Sequence, residues 1–100
     1  MLTRTEITRT LRENYPYLAS EYGVKRIGLF GSYAKDMPTE ASDIDIVVEF
    51  GRPIGFRFVE FVEHLESLLG KPVDVLTPAG IQGIRIDRIA KDIQESTVYV

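Results

Sequence analysis

The stretch GLFGSYAKDMPTEASDIDIVVEF, residues 28–50, joins two apolar runs and places two like charges close together. A Gly-Ser pair, Gly31 and Ser32, ends one apolar run, and two aspartates separated by one residue, Asp43 and Asp45, begin the next. Alternate residues of a strand point to the same face, so these two carboxylates share a face and repel each other. A sequence that keeps such a pair usually needs a cation there.

The elements on either side of this stretch alternate between helical and strand periodicity. The pattern predicts helix, strand, helix, strand, helix, strand, helix and an extended tail, with ranges 3–20, 24–30, 33–36, 43–50, 57–69, 73–76, 84–95 and 97–100. Pro16 is expected to end or kink the first helix near Asn14 or Tyr15. The alternation is typical of an α/β fold in which helices cover a small sheet. We expect this sheet to be mixed.

Length and composition indicate one ordinary globular domain over residues 1–100. The chain is 44% hydrophobic and 27% charged, which suffices for one modest core. It has no cysteine, so a disulfide framework and a thiolate metal site are both excluded. No signal sequence and no apolar run of about 20 residues is present, which predicts a cytoplasmic protein without a membrane span.

The charge pattern argues against stable nucleic-acid binding. The net charge is −3, and the lysines and arginines are scattered, with no cluster longer than Lys25-Arg26. Tight binding to nucleic acid without sequence preference rests on many phosphate contacts, which this distribution does not offer.

A third aspartate, Asp74, interrupts the apolar strand VDVL. If this strand lies beside the strand of Asp43 and Asp45, the three carboxylates form one site. Oxygen ligands suit hard cations such as Mg²⁺, and a three-carboxylate site can hold two metals about 3.5–4 Å apart, which suits in-line displacement at phosphorus.

The Gly-Ser pair supplies a complementary phosphate site. A glycine at a strand-to-helix turn lets the backbone approach a phosphate closely, and the N–H groups of the following helix attract an anion. The hydroxyl of Ser32 adds a donor. A purely structural turn and helix cap is the alternative interpretation of Gly31 and Ser32.

Together these residues resemble a known family. GSYAKDMPTEASDID matches the Gly-Ser, ten residues, Asp-x-Asp signature of the nucleotidyltransferase superfamily that includes DNA polymerase beta and kanamycin nucleotidyltransferase. The longer pattern LFGSYA…SDIDIVV…LLGKPVDVLTP is similar to the minimal nucleotidyltransferases (MNT, MntA-like). The resemblance spans about residues 24–78 and extends more weakly to the end. It implies the polymerase beta-like nucleotidyltransferase fold.

The resemblance also implies roles for five residues. Asp43 and Asp45 would bind Mg²⁺, Asp74 would complete the metal site and help activate the attacking hydroxyl, and Gly31 and Ser32 would hold the terminal phosphates of the nucleotide. The implied reaction transfers a nucleoside monophosphate, AMP if ATP is the substrate, to a hydroxyl and releases pyrophosphate. One residue departs from the pattern, because such proteins often carry glycine where this chain has Asp36.

The acceptor is expected to come from another molecule, since little chain follows Asp74. Minimal nucleotidyltransferases typically accompany a HEPN-domain ribonuclease toxin and act as its antitoxin by adenylylating a toxin tyrosine, so the resemblance implies a complex with such a toxin. Two alternatives remain open: a small-molecule nucleotidyltransferase that works as a homodimer, and an antitoxin that neutralises its toxin by binding alone.

Other conspicuous side chains are predicted to have no catalytic role. His64 is expected on the surface, Lys35 and Arg57 are expected to be solvated charges, and Tyr33 is expected to pack against the loop. Three phenylalanines are expected in the core: Phe56, Phe58 and Phe61.

Overall fold

The computed structural model describes residues 2–37, 43–78, 80, 91, 93, 95 and 97–100. Its elements are, in chain order, α1 (Arg4–Tyr22), β1 (Val24–Phe30), α2 (Gly31–Ala34), β2 (Ile44–Phe50), α3 (Arg57–Leu69), β3 (Val73–Leu76) and β4 (Val98–Tyr99). Residues 38–42 of the predicted loop over 37–42, and residues 84–90, 92 and 94 of the predicted last helix, lie outside the described residues. Within that predicted helix, Lys91, Ile93 and Glu95 are helical.

Helix α1 begins and ends where the sequence predicts caps. The Thr3 hydroxyl accepts a hydrogen bond from the Glu6 backbone N–H at 3.1 Å and donates to the Glu6 carboxylate at 3.1 Å. Gly23 ends the helix with a left-handed φ of 74°, and its N–H donates to the Ala19 carbonyl.

Pro16 does not end this helix, because α1 is one element of 19 residues with Pro16 inside it. A proline in a helix removes one backbone hydrogen bond, at a cost of about 3 kcal/mol. Ile7 and Leu11 before the proline and Leu18 and Tyr22 after it are all buried in the same core. Burial on both sides of Pro16 offsets that cost, since each such side chain contributes about 1.5–3 kcal/mol.

The four strands form one mixed sheet in the order β3-β2-β1-β4. Strand β1 pairs antiparallel with β2 and with β4, and β2 pairs parallel with β3. A parallel pair needs a crossover connection, and α3 provides it. The predicted extended tail is therefore a fourth strand, in which Val98 and Tyr99 pair with Leu29 and Gly28.

The two faces of the sheet are covered differently. Helices α1 and α3 pack on one face, where they bury the main core. Its buried members are Ile7, Leu11, Leu18, Tyr22, Val24, Ile27, Leu29, Tyr33, Ala34, Ile44, Ile46, Val48, Phe61, Leu65, Leu69 and Val73. A smaller cluster holds Phe30 and Val47, with Leu76 and Ile93 packed against it. Strand alternation places Val47 on the same face of the sheet as Asp45.

Helix α2 begins earlier than predicted. The sequence indicates a helix over 33–36, whereas α2 starts at Gly31 itself and Asp36 lies in the turn that follows. Tyr33 and Ala34 are buried, so this one-turn helix is packed against the core. No helix in the described part of the chain combines the length and the apolar character needed to cross a membrane.

Candidate active site

Sheet register brings the second and third predicted carboxylates together. Asp45 of β2 and Asp74 of β3 are directly paired in the parallel ladder. Residues paired in this way point to the same face, and neighbouring strands lie about 4.8 Å apart. The sequence could place Asp74 in the site only if β3 adjoined β2, and the structure shows that it does.

Two contacts fix the start of β3, and through it the position of Asp74. The Val73 N–H donates to the Glu66 carboxylate of α3 at 3.0 Å. The Ile44 N–H donates to the Pro72 carbonyl at 3.2 Å. These bonds set the parallel register at the rung before Asp45 and Asp74.

Asp43 lies just outside the ladder. Strand β2 begins at Ile44, one residue later than predicted, and Asp43 is exposed. Asp43 precedes Asp45 by two residues, and its electrostatic influence reaches the Asp45 carboxylate. Asp74 is also exposed, whereas Asp45 is half-buried between its neighbours.

The environment of Asp45 disfavours its charged form. Burial, and after it the negative charges of Asp74 and Asp43, together raise the pKa of Asp45 to about 6. The folded chain thus accumulates negative potential at this end of the sheet, where the like charges lie close together. A cation there would relieve it.

The donor set fits a hard cation, although the side chains as placed do not form a closed cage. No group of three or more histidine, cysteine or acidic side chains among the described residues is close enough together to hold a metal ion. Carboxylate oxygens on one face suit Mg²⁺, which usually takes one or two carboxylates and completes its coordination with water and substrate phosphates.

Gly31 lies against Asp45 because Phe30, the last residue of β1, pairs with Asp45. Gly31 has a φ of +73°, and a Cβ atom built on it would lie 3.0 Å from Asp45 Cγ and 3.2 Å from Asp45 Cβ. Glycine is therefore required here both by backbone conformation and by the approach of the carboxylate.

Ser32 follows in the first turn of α2 and is half-buried. Its carbonyl accepts from the Met37 N–H at 2.9 Å. The structure therefore places the Gly-Ser pair and the paired carboxylates at one end of the sheet, the carboxyl end of β1 and the amino ends of β2 and β3. The role of the pair in phosphate binding stays a prediction.

Asp36, which stands where the family pattern often has glycine, adopts a backbone conformation that glycine favours. It has a φ of 59°, and no other non-glycine residue in the described part of the chain has a positive φ. Glycine adopts this left-handed conformation without penalty, and aspartate tolerates it better than most residues. The Asp36 carboxylate lies 3.7 Å from the Arg4 guanidinium, which also donates to the Ala34 carbonyl at 3.1 Å. Sequence reasoning missed Arg4, because 30 residues separate it from Ala34.

The predictions for the side chains that were given no catalytic role are confirmed only in part. Arg57 is exposed, as predicted, and it pairs with Glu21 at 3.0 Å. His64 is not a free surface residue, because it is half-buried and packs on the Tyr17 ring at 5.2 Å. Tyr33 is fully buried.

The expectation for the phenylalanines holds for Phe61, which is fully buried in the core. Phe58 is half-buried and packs edge-on against Phe50. Phe56 contradicts the prediction, because it is fully exposed at the start of α3. The reason is geometric: Phe56 caps the helix and lies a half turn away from the buried stripe of Phe61 and Leu65.

Comparison with known proteins identifies the family of this chain. A family model described as "Nucleotidyltransferase domain" matches residues 6–100. The "Protein adenylyltransferase MntA" of Thermococcus cleftensis is 39% identical over 101 residues, covering 100% of this chain and 98% of the relative. A Methanocaldococcus jannaschii protein named "Putative protein adenylyltransferase MJ1379" is 42% identical over 103 residues, covering 100% of both chains.

Solved structures show the same architecture. One described as "Structure of putative minimal nucleotidyltransferase" superposes with a TM-score of 0.71 at 27% identity, covering 97% of this chain and 95% of that one. A chain from a solved complex, described as a tri-AMPylated Shewanella oneidensis HEPN toxin in complex with MNT antitoxin, shares the fold. It superposes with a TM-score of 0.53 at 23% identity, covering 96% of this chain and 66% of that one. The chain belongs to the nucleotidyltransferase domain family and is an enzyme of the minimal, MntA-like kind.

Proposed function

We propose that this chain transfers AMP from ATP, with Mg²⁺, to a tyrosine hydroxyl of a HEPN-domain toxin, and thereby acts as its antitoxin. The observation that carries the proposal is the alignment of Asp45 with Asp74 across parallel strands, with Gly31 against Asp45. This arrangement places the carboxylates that would hold a cation beside the Gly31-Ser32 backbone, which would bind phosphate, at one end of the sheet. The AMPylated toxin in the related complex supports the choice of donor group and acceptor.

Each residue then has a defined task. Asp43, Asp45 and Asp74 would hold Mg²⁺, two ions in the family arrangement, and bound Mg²⁺ would stabilise the charge that develops on the transferred phosphate. The Gly31-Ser32 backbone would bind the terminal phosphates, and Ser32 would donate its hydroxyl to them.

The reaction balances as an in-line displacement. The acceptor oxygen forms a bond to the α-phosphorus, and the bond from that phosphorus to the bridging oxygen of the β-phosphate breaks, so pyrophosphate leaves. The acceptor proton passes to a carboxylate, for which we propose Asp74, because it is the exposed member of the Asp45–Asp74 pair.

We also propose that residues 1–100 form a single domain and that the acceptor hydroxyl is presented by a second molecule, as the AMPylated toxin of the related complex suggests. We infer a cytoplasmic site of action, because ATP is the proposed donor. The small-molecule alternative would need a second copy of the chain to complete an acceptor site.

A labelling experiment tests the proposal. The protein is incubated with Mg²⁺, ATP labelled at the α-phosphate and the HEPN-domain protein encoded beside it, and the products are separated by size and by tryptic mass spectrometry. We expect an added AMP on a tyrosine of the partner. Label that remains in small molecules would favour the alternative enzyme.

The matched control is the double variant Asp43→Asn plus Asp45→Asn, which keeps side-chain size and removes two charges. We expect it to bind the partner and to transfer no label. If cells that co-express this variant and the partner grow as well as cells with the parent, neutralisation is by binding alone and the proposal is wrong.

A further inference from the structure

The carbonyl groups of α2 reveal how the one-turn helix is held in place. A helix leaves its last carbonyls without partners inside the helix, and α2 is so short that all four of its carbonyls are in this position. Three are satisfied by the turn that follows: Gly31 by Lys35, Ser32 by Met37 and Tyr33 by Asp36, at N–O distances of 3.1, 2.9 and 3.2 Å.

The fourth carbonyl, that of Ala34, is satisfied by the side chain of Arg4. The Arg4 Nη1 group donates to it at 3.1 Å. The same guanidinium places its other terminal nitrogen, Nη2, 3.7 Å from the Asp36 carboxylate. A guanidinium can serve two acceptors at once because its donors lie in one rigid plane.

Asp36 is the residue that most needs this contact. It holds a left-handed φ of 59° that favours glycine, and the Met37 N–H that bonds to Ser32 comes directly after it. If the turn at Asp36 relaxes, the Met37 bond to the Ser32 carbonyl is the next to be lost. Arg4 thus contacts two residues of the turn, Ala34 and Asp36, that lies before the Met37 N–H bonded to the Ser32 carbonyl.

Arg4 is itself held by the start of α1. Thr3 caps the helix immediately before it, and the Thr8 hydroxyl donates to the Arg4 carbonyl at 2.9 Å. Its backbone is therefore part of a well-defined first helical turn, on an element separate from β1 and α2.

We propose that Arg4 is a positioning residue for nucleotide binding: it fastens α2 to α1 and so fixes where the Gly31-Ser32 backbone and the Ser32 hydroxyl meet the phosphates. The inference rests on the proposed function in taking Gly31 and Ser32 as the phosphate site. Arg4 touches no reacting atom in this scheme. It sets the binding of the donor nucleotide rather than the transfer step.

The experiment compares Arg4→Ala with Arg9→Ala, since Arg9 is exposed on the same helix and has no side-chain hydrogen bond or ion pair with any described residue. We measure the Kd for a non-hydrolysable ATP analogue with Mg²⁺, the KM for ATP and kcat. For Arg4→Ala we expect Kd and KM to rise about three- to tenfold, the factor that corresponds to losing one net hydrogen bond, with kcat within about twofold of the parent. Arg9→Ala should match the parent.

Two further measurements separate positioning from general stability. The amide of Met37 should exchange with solvent faster in Arg4→Ala, while the amides of β2 exchange at the parent rate. In an Asp36→Gly background the effect of Arg4→Ala on Kd should shrink, because glycine needs no support at that φ.

The outcomes are distinct. A parent protein that binds no nucleotide would overturn the proposed function and this inference with it. A parent that binds, with Arg4→Ala equal to it in Kd and in Met37 exchange, would overturn the role of Arg4 alone. Equal losses in kcat and in binding would also overturn it, because they would show damage to the transfer step.

Discussion

The Asp45 side chain fills the position that a side chain on Gly31 would occupy. A Cβ on Gly31 would lie 3.0 Å from the Asp45 Cγ, and the backbone there has a left-handed φ of +73°. The residue proposed to admit phosphate and the residue proposed to hold the cation are thus in direct contact. Glycine at position 31 is thus required both by its backbone conformation and by this contact, and the free-energy cost of violating each can be measured separately.

Gly31→Ala should destabilise the protein more than Gly70→Ala does. Gly70 has nearly the same φ, +71°, but a Cβ there meets nothing within 4 Å. The left-handed conformation should cost each variant about 1–2 kcal/mol, and the collision with Asp45 should cost Gly31→Ala a further 1–3 kcal/mol or so. Urea unfolding of both variants measures the difference. Equal losses would mean that the Asp45 side chain moves aside freely.

Asp45→Asn should make the metal-free protein more stable while abolishing transfer. The neutral amide keeps the shape of the carboxyl group and removes the charge that burial, Asp74 and Asp43 disfavour. We expect a gain of about 1–2 kcal/mol, because solvent screening of this half-exposed group reduces the roughly 3 kcal/mol that the full pKa shift would represent. Activity should fall more than about 100-fold.

Asp43→Asn is the matched control for that stability gain. Asp43 is exposed, so its neutralisation should change the free energy of unfolding by less than about 0.5 kcal/mol. A gain from Asp43→Asn as large as that from Asp45→Asn would show that general surface charge, rather than the burial of Asp45, is responsible.

Stability should depend on pH in a direction set by Asp45. Its folded pKa of about 6 lies above the unfolded value near 3.8, so between these values the folded state binds more protons. The free energy of unfolding of the metal-free protein should therefore fall as pH rises from about 4 to about 6, and the contribution should be level above that range. Denaturation of the parent and of Asp45→Asn in EDTA across this pH range isolates the contribution of Asp45 to the free energy of unfolding. Parallel curves would contradict the raised pKa.

Ser32→Ala should weaken nucleotide binding without unfolding the protein. The variant removes one hydroxyl from a half-buried position, and no hydrogen bond to a described residue depends on that hydroxyl. We expect the Kd for an ATP analogue to rise about three- to tenfold, as for one lost net hydrogen bond, with the free energy of unfolding within about 0.5 kcal/mol of the parent. Unchanged affinity would leave the Gly-Ser pair with a structural role alone.

Local sequence was sufficient for the parts of the fold that depend on local chemistry. The caps at Thr3 and Gly23, the helix stop at Gly70 and the alternation through Asp45 all lie where the pattern predicts them. The mixed sheet and the family followed from motifs whose spacing is itself a consequence of strand and turn geometry.

Features that depend on long-range packing were not predictable in this way. Pro16 remains inside α1 because core contacts on both sides of it outweigh one lost hydrogen bond. The tail joins the sheet only because Gly28 leaves room for Thr97 and Tyr99, whose atoms lie 2.9 Å from where its Cβ would be. Arg4 gives no sequence signal, because its partner carbonyl at Ala34 belongs to the backbone.

The parallel pairing of β2 with β3 has a consequence for the time at which the enzyme can first act during its own synthesis. Asp45 leaves the ribosome well before Asp74, and α3 must form between them before the two strands can align. A nascent chain that has emerged only as far as β2 carries the Gly-Ser turn and two carboxylates but lacks their partner. Adenylylation by this chain would therefore begin only after the crossover is complete, so a ribosome stalled before β3 yields a fragment that cannot modify its target.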